Sequence, residues 1–187
     1  MFCLNAYNNP YTDKGTSHSY LELYNRWFHQ RQYSAQHIME IGVNFGGSIK
    51  LWHDYFPNST IYGVDIEFNH VWDEIQNKSR IQLYQSDAYS SEFAKYICEK
   101  VKSFDIIIDD GPHTLETMKR AIELYVPYLS KNGIFIIEDI PSWEWMEELR
   151  QMVPDELRKY IGMYDLRPLK GRFDDIVFVV NLGPDIT

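Results

Sequence analysis

Short β-type runs alternate with helix-like stretches along most of the chain. Residues 38–43, 60–66, 81–85, 104–109 and 133–137 are the strand candidates. Ile106-Ile107-Ile108 and Ile134-Phe135-Ile136-Ile137 are continuously apolar, not alternating, the pattern of parallel strands covered by helices on both faces. Between them Leu115, Met118, Ile122, Tyr125, Val126 and Leu129 recur at helical steps and form a stripe that packs on such a sheet. Upstream, Ser19 and Glu22 have capping-box spacing and predict a helix over 20–32. After a helical stretch over 143–152, segments 160–166 and 176–180 are close enough to form an antiparallel hairpin. The prediction is a doubly wound, Rossmann-like α/β fold. Its seven-stranded sheet is mostly parallel with a C-terminal antiparallel hairpin, and helices lie on both faces.

With 187 residues, 44% of them hydrophobic, the chain can bury one substantial core and is short for two. Residues 1–187 therefore read as a single domain with an N-terminal loop over 1–18. The Asn/Tyr/Pro-rich start and the Gly183-Pro184 tail read as loose ends. A net charge of −9 with scattered Lys and Arg leaves no basic stripe, which disfavours a nucleic-acid partner. The start lacks a signal-peptide pattern and no apolar run reaches the length of a membrane span. A soluble, cytoplasmic protein without membrane insertion is expected. Cys3 and Cys98 have neither CxxC nor metal-ligand spacing and read as free thiols without catalytic duty.

Open α/β sheets bind ligands beyond the carboxyl ends of their strands. The first predicted strand runs into Glu40-Ile41-Gly42-Val43-Asn44-Phe45-Gly46-Gly47-Ser48, a glycine turn that lets backbone approach a ligand and opens a helix near Gly47. Its spacing is not the GxGxxG of dinucleotide binders, which argues against a nicotinamide-dependent oxidoreductase. A sulfonium amino acid joined to adenosine needs no pyrophosphate cradle and fits the turn. Asp65 ends the second strand, placed to accept hydrogen bonds from ribose hydroxyls, and Asp87 ends the third, on the adenine side.

The fourth and fifth strands end in Asp109-Asp110-Gly111-Pro112-His113 and Glu138-Asp139. So many like charges repel unless a cation sits among them. All-oxygen ligation suits Mg²⁺, with Mn²⁺ or Ca²⁺ as alternatives, and is expected on Asp110, Glu138 and Asp139. His113 opens the next helix beside these acids and is the candidate general base. His18, His29, His37, His53 and His70 lack such a cluster and read as surface or loosely structural residues.

Thr12 to Tyr20, Glu40 to Ser48, and Asp109 to His113 with Glu138-Asp139 together resemble the metal-dependent sugar O-methyltransferases of the macrolide-tailoring type, within the class I S-adenosylmethionine-dependent superfamily. The resemblance implies S-adenosyl-L-methionine as methyl donor, a small sugar or glycan as acceptor, His113 as base and Mg²⁺ on Asp110, Glu138 and Asp139. It also implies that the Asp13-Lys14-Gly15 loop lies against the donor, with Lys14 meeting its carboxylate. The expected donor contacts are thus Lys14, Thr16, Glu40, Gly42, Gly46, Ser48, Asp65, Asp87 and Asp109, and the expected catalytic pair is His113 and Asp110. Larger members of the family carry an additional N-terminal domain without a counterpart in these residues, so acceptor choice and assembly do not carry over. A homodimer is left open.

Two other readings use the same residues. A catechol- or phenol-type O-methyltransferase would also employ donor, metal and sheet-end carboxylates, and a catalytically silent adenosyl-ligand binder could serve as a subunit of an assembly. Of Trp143 and Trp145, one could wall a sugar ring, or one could pack in the core and the other stay partly exposed. Lys170-Gly171-Arg172 is either an acceptor loop or a solvated turn.

Overall fold

The continuous apolar runs become the middle of a sheet. The computed structural model describes Leu4 and residues 12–183. Its strands are β1 (His37–Ile41), β2 (Thr60–Asp65), β3 (Ile81–Gln85), β4 (Phe104–Asp109), β5 (Leu129–Ile137), β6 (Ile161–Asp165) and β7 (Ile176–Asn181). They form one seven-stranded sheet in the order β3-β2-β1-β4-β5-β7-β6. The first five strands pair in parallel, and β7 runs antiparallel to both β5 and β6. This is the predicted Rossmann-like arrangement with its C-terminal hairpin.

Alternation along the strands divides the core into two layers. Ile38, Ile106 and Ile108 face α1 (Tyr20–Phe28), α2 (Gly47–Tyr55) and α3 (Asp73–Gln76). Met39, Ile107 and Phe135 face α4 (Ser91–Val101), α5 (Leu115–Tyr125) and α6 (Trp145–Met152). Each fully buried side chain of this kind contributes roughly 1.5–3 kcal/mol relative to exposure. A short α7 (Arg167–Lys170) lies between the last two strands. Register then sets the site: Ile41 is opposite both Val64 and Asp109, and Asp109 is opposite Ile137. The acids that follow these positions emerge on one edge, where strand order reverses around β1 and β4.

Several boundaries differ from expectation for identifiable reasons. β1 stops at Ile41 because Gly42, with φ +86°, leaves the extended region. β5 begins at Leu129, before Gly133, and its register with β4 shifts between Phe104 and Ile106. The helix expected over 20–32 is α1 followed by a 3₁₀ turn, His29–Arg31. The Ser19/Glu22 capping box does not form: the Ser19 hydroxyl is buried without a partner, and Glu22 pairs with Arg26 at 3.4 Å. The Lys14 carbonyl accepts from the Tyr20 N–H at 3.1 Å, so the preceding turn serves one of the free donors of the helix's first turn. Side-chain caps do occur at Ser90 and Thr114.

α6 starts at Trp145, which is partly buried against the core, while Trp143 precedes the helix and is exposed. Cys98 is a buried free thiol. Cys3, most of the expected loose start and the tail beyond Gly183 lie outside the described residues. No helix among the described residues is long and apolar enough to cross a membrane.

Candidate active site

A cavity of about 1150 Å³ opens at the carboxyl edge of the sheet. Gly42, Ser48, Asp65 and Asp87 line it together with Asp110, His113 and Asp139, and the N-terminal loop adds Thr12, Asp13, Thr16 and Ser17. The glycine turn is built for close approach: a Cβ on Gly42 would collide with the Asp110 carbonyl oxygen. Asp65 fixes the turn, its Oδ2 accepting from the backbone N–H of Val43 at 2.7 Å and of Asn44 at 3.2 Å. Ser48 sits in the first turn of α2, whose N–H groups and dipole favour a carboxylate or another anionic group.

The acids expected to need a cation have one in the chain. The Lys14 ammonium is buried between Asp110 Oδ2 at 2.7 Å, Glu138 Oε2 and Glu40 Oε1 at 3.3 Å. Burial opposes its charge, but Asp110, Glu138 and Glu40 outweigh that and raise its pKa well above 10.5. Burial also raises the Glu138 pKa well above its ordinary value, against the pull of Lys14 and with the help of Asp110 and Asp139. Asp139 is raised by burial and by the neighbouring Asp110, against Tyr20 and His18. Glu40, fully buried and hydrogen-bonded by Trp52 Nε1 at 3.0 Å, is pushed up to about 7 by burial, against the pull of Lys14.

His113 stands over two of these acids. Its Nε2 is 3.9 Å from Asp110 Oδ1 and 3.9 Å from Asp139 Oδ2. These three residues offer ligand atoms that all lie within 4.8 Å of one another. That spacing is too long for direct hydrogen bonds and leaves room for a shared cation or a substrate oxygen. His113 and Asp139 both adopt left-handed backbone, with φ +54° and +52°, and so does the cavity-lining Asn44 at φ +47°. Such conformations cost roughly 1–3 kcal/mol each in non-glycine residues and concentrate at functional sites.

The expected residues therefore divide. Thr16, Gly42, Ser48, Asp65, Asp87, Asp110, His113 and Asp139 line one cavity. Lys14, Glu40, Gly46, Asp109 and Glu138 are not in its wall. Lys14 binds the protein's own acids where a contact with the donor carboxylate was expected. Glu40 serves Lys14 and Trp52, and Asp109 is buried with Oδ1 accepting from Tyr89 at 2.6 Å. Gly46, at φ +86°, makes the left-handed turn into α2, where a Cβ would lie 2.6 Å from Ile75. Glu138 keeps both oxygens engaged, one by Lys14 and one by the Tyr24 hydroxyl. A carboxylate has about four lone-pair sites, so these bonds leave it able to ligate as well.

His18 is neither the surface nor the loosely structural residue expected. It is buried, with Nδ1 2.7 Å from Asp175 Oδ1 and 3.2 Å from Asp139 Oδ1, and Nε2 3.4 Å from Asp13 Oδ2. Burial disfavours its protonation, but the bonds to Asp13 and Asp175 and the charge of Asp139 raise its pKa to about 9. Tyr20, which donates to Asp139, and Tyr24 escaped sequence reading because they share the buried stripe of α1 with Leu23, Trp27 and Phe28. The signal that could have found them was their hydroxyls, which need partners when buried. Neither Trp143 nor Trp145 lines the cavity. Lys170 donates to the carbonyls of Gly15, Thr16 and His18 at 2.9, 3.0 and 2.6 Å, and so holds the N-terminal loop.

A sequence profile of the methyltransferase domain matches residues 39–140. The chain is 32% identical over 139 residues to mycinamicin VI 2''-O-methyltransferase of Micromonospora griseorubida, covering 70% of this chain and 34% of that protein. It is 30% identical over 139 residues to L-olivosyl-oleandolide 3-O-methyltransferase of Streptomyces antibioticus, covering 70% and 35%. The chain thus spans about a third of the length of these curated relatives. Among solved structures, MycE methyltransferase from the mycinamycin biosynthetic pathway, in complex with Mg, SAH and mycinamycin VI, shares the fold. Its TM-score is 0.73 at 24% identity, covering 94% of this chain and 52% of that one.

Proposed function

Because the chain belongs to the methyltransferase domain family, we propose that it is an S-adenosylmethionine-dependent, divalent-cation-dependent O-methyltransferase acting on a sugar hydroxyl. The observation that carries the proposal is the meeting of Asp110, His113 and Asp139 in the same cavity as the glycine turn and Asp65. The relatives' names support the substrate class, since they describe O-methylation of mycinamicin VI at 2'' and of L-olivosyl-oleandolide at 3. The acidic chain, with net charge −9, is the reason for proposing a small sugar or glycan over a nucleic acid.

The residues present fit the groups this reading requires. Gly42 lets the turn pack against the Asp110 backbone while lining the cavity, Ser48 opens a helix, and Asp65 lies where ribose hydroxyls would be bound. Asp110 and Asp139 turn carboxylate oxygens toward the same space, a hard oxygen donor set suited to Mg²⁺ or Mn²⁺, with Glu138 adjacent. When bound, the donor supplies an electrophilic sulfonium methyl and the cation favours an ionised acceptor hydroxyl.

The chain's own part is positioning and proton transfer. Asp110, Asp139 and Glu138 would hold the cation, and His113 Nε2, directed between the two aspartates, would take the proton of the acceptor hydroxyl. With the donor bound, the acceptor oxygen would bond to the methyl carbon as the carbon–sulfur bond opens with its pair left on sulfur, and the proton would stay on His113. The cavity walls contribute by holding oxygen and methyl at roughly 3–3.5 Å in line. The test is methyl transfer from S-adenosylmethionine to a panel of deoxysugar glycosides, with Mg²⁺ and with EDTA. Cation-dependent transfer to a sugar supports the proposal, and transfer to catechols alone overturns its acceptor class.

A further inference from the structure

The carboxylates at the cavity are divided oxygen by oxygen. Asp139 Oδ1 accepts from the Tyr20 hydroxyl and lies 3.2 Å from His18 Nδ1, while its Oδ2 faces His113 at 3.9 Å. Asp110 Oδ2 accepts from Lys14 at 2.7 Å, while its Oδ1 faces His113 at 3.9 Å. Glu138 is held on both oxygens, by Lys14 and by Tyr24. Every one of these donors comes from the stretch between Lys14 and Tyr24. That stretch is itself fixed by Lys170 on three loop carbonyls and by Asp175 on His18.

We propose that Lys14, His18, Tyr20 and Tyr24 are the positioning residues of this site: Lys14 on Asp110 Oδ2, and His18 with Tyr20 on Asp139 Oδ1, turn the opposite oxygens of Asp110 and Asp139 toward a divalent cation beside His113, while Lys14 and Tyr24 hold the adjacent Glu138. The inference rests on the cation-dependent reading above and extends it to residues outside the cavity wall. Three observations make it more than ordinary core satisfaction. The donors take a single oxygen from each aspartate and leave the cavity-facing one free of them. Lys14 brings a fixed positive charge that lets Asp110, Glu138 and Glu40 share a small volume without the cation. Asp139 is held by two donors in left-handed backbone, so its orientation does not follow from the chain path alone.

Groups that orient metal ligands in this way typically change affinity tenfold to hundredfold when removed. The test is Mn²⁺ binding to the whole chain, followed by the loss of the free-ion electron paramagnetic resonance signal. Wild type, Tyr20→Phe and Leu23→Ala are compared well below their unfolding midpoints. Tyr20→Phe removes one hydroxyl from the layer. Leu23→Ala destabilises the same helix without removing a bond to any acid.

The proposal expects Tyr20→Phe to bind Mn²⁺ about tenfold to hundredfold more weakly and Leu23→Ala to bind like wild type. Equal affinity in Tyr20→Phe and wild type overturns the positioning role while leaving the cation reading intact. Equal loss in both variants also overturns it, because helix integrity would then suffice. Absence of Mn²⁺ binding by wild type overturns the cation reading itself, and the positioning role with it.

Discussion

Lys14 and Asp110 are 96 residues apart in sequence, yet the ammonium and the carboxylate meet at 2.7 Å. The contact joins the N-terminal loop to the end of β4 and puts the chain's own cation among acids that would otherwise repel. Removing one partner of a buried pair leaves the rest uncompensated, at a cost of about 3–5 kcal/mol. Lys14→Met should therefore lower the free energy of urea unfolding by that order, about 3–5 kcal/mol. A change below about 1 kcal/mol, the range of an exposed ion pair, would show that the ammonium is not buried as described.

His18 gives the fold a defined alkaline weakness. Its folded-state pKa of about 9 lies above its ordinary 6.5. The stabilisation is fully present below the lower value and is lost as pH rises through the higher one. The stability difference between wild type and His18→Gln should be constant below pH 6.5 and shrink toward pH 9. Urea unfolding at a series of pH values measures it. A difference that does not change over this window would contradict a protonated, acid-bound imidazole.

Two glycines with similar backbone separate strain from crowding. At Gly171, with φ +76°, a Cβ would meet nothing within 4 Å, so Gly171→Ala should cost about 1 kcal/mol from backbone conformation alone. Gly42, at φ +86°, would drive a Cβ into the Asp110 carbonyl, and Gly42→Ala should cost more and weaken donor binding. Thermal unfolding and calorimetry of the two variants check the order. Equal penalties would mean that the close approach of the turn to the residues after β4 is not enforced.

His113 and Asp110 should fail differently. His113→Ala should lower turnover by about 10²–10⁴-fold, the range of a general base, with donor binding nearly intact. Asp110→Asn should in addition raise the Mg²⁺ concentration needed for activity. Steady-state kinetics over a metal titration distinguishes the two. Unchanged turnover in His113→Ala would remove its role as base.

The sheet was legible because its strands carry strong local signals. The apolar runs at Ile106 to Ile108 and Ile134 to Ile137 place β4 and the buried half of β5, and the acids that follow them mark the ligand edge. The first half of β5 was not legible, since Ser130, Lys131 and Asn132 are polar and partly or fully exposed. The acid cluster announced a need for positive charge, but no local pattern says that Lys14 meets part of it. Lys14 sits in a turn without periodicity, and its partners are brought to it only by the folded sheet. Tyr20 and Tyr24 were hidden for the opposite reason: their helical spacing is a strong signal for core, and burial is what the structure gives them, with hydroxyls turned to the acids.

Recognition of the methyl donor underlies every step assigned to the cavity. Calorimetric titration of the chain with S-adenosylhomocysteine, in Mg²⁺ and again in EDTA, measures it without an acceptor. Dissociation constants of about 1 μM to 1 mM, the usual range for enzyme substrates, are the predicted result. No heat of binding under either condition, from a chain shown to be folded, would contradict the methyltransferase reading of the cavity.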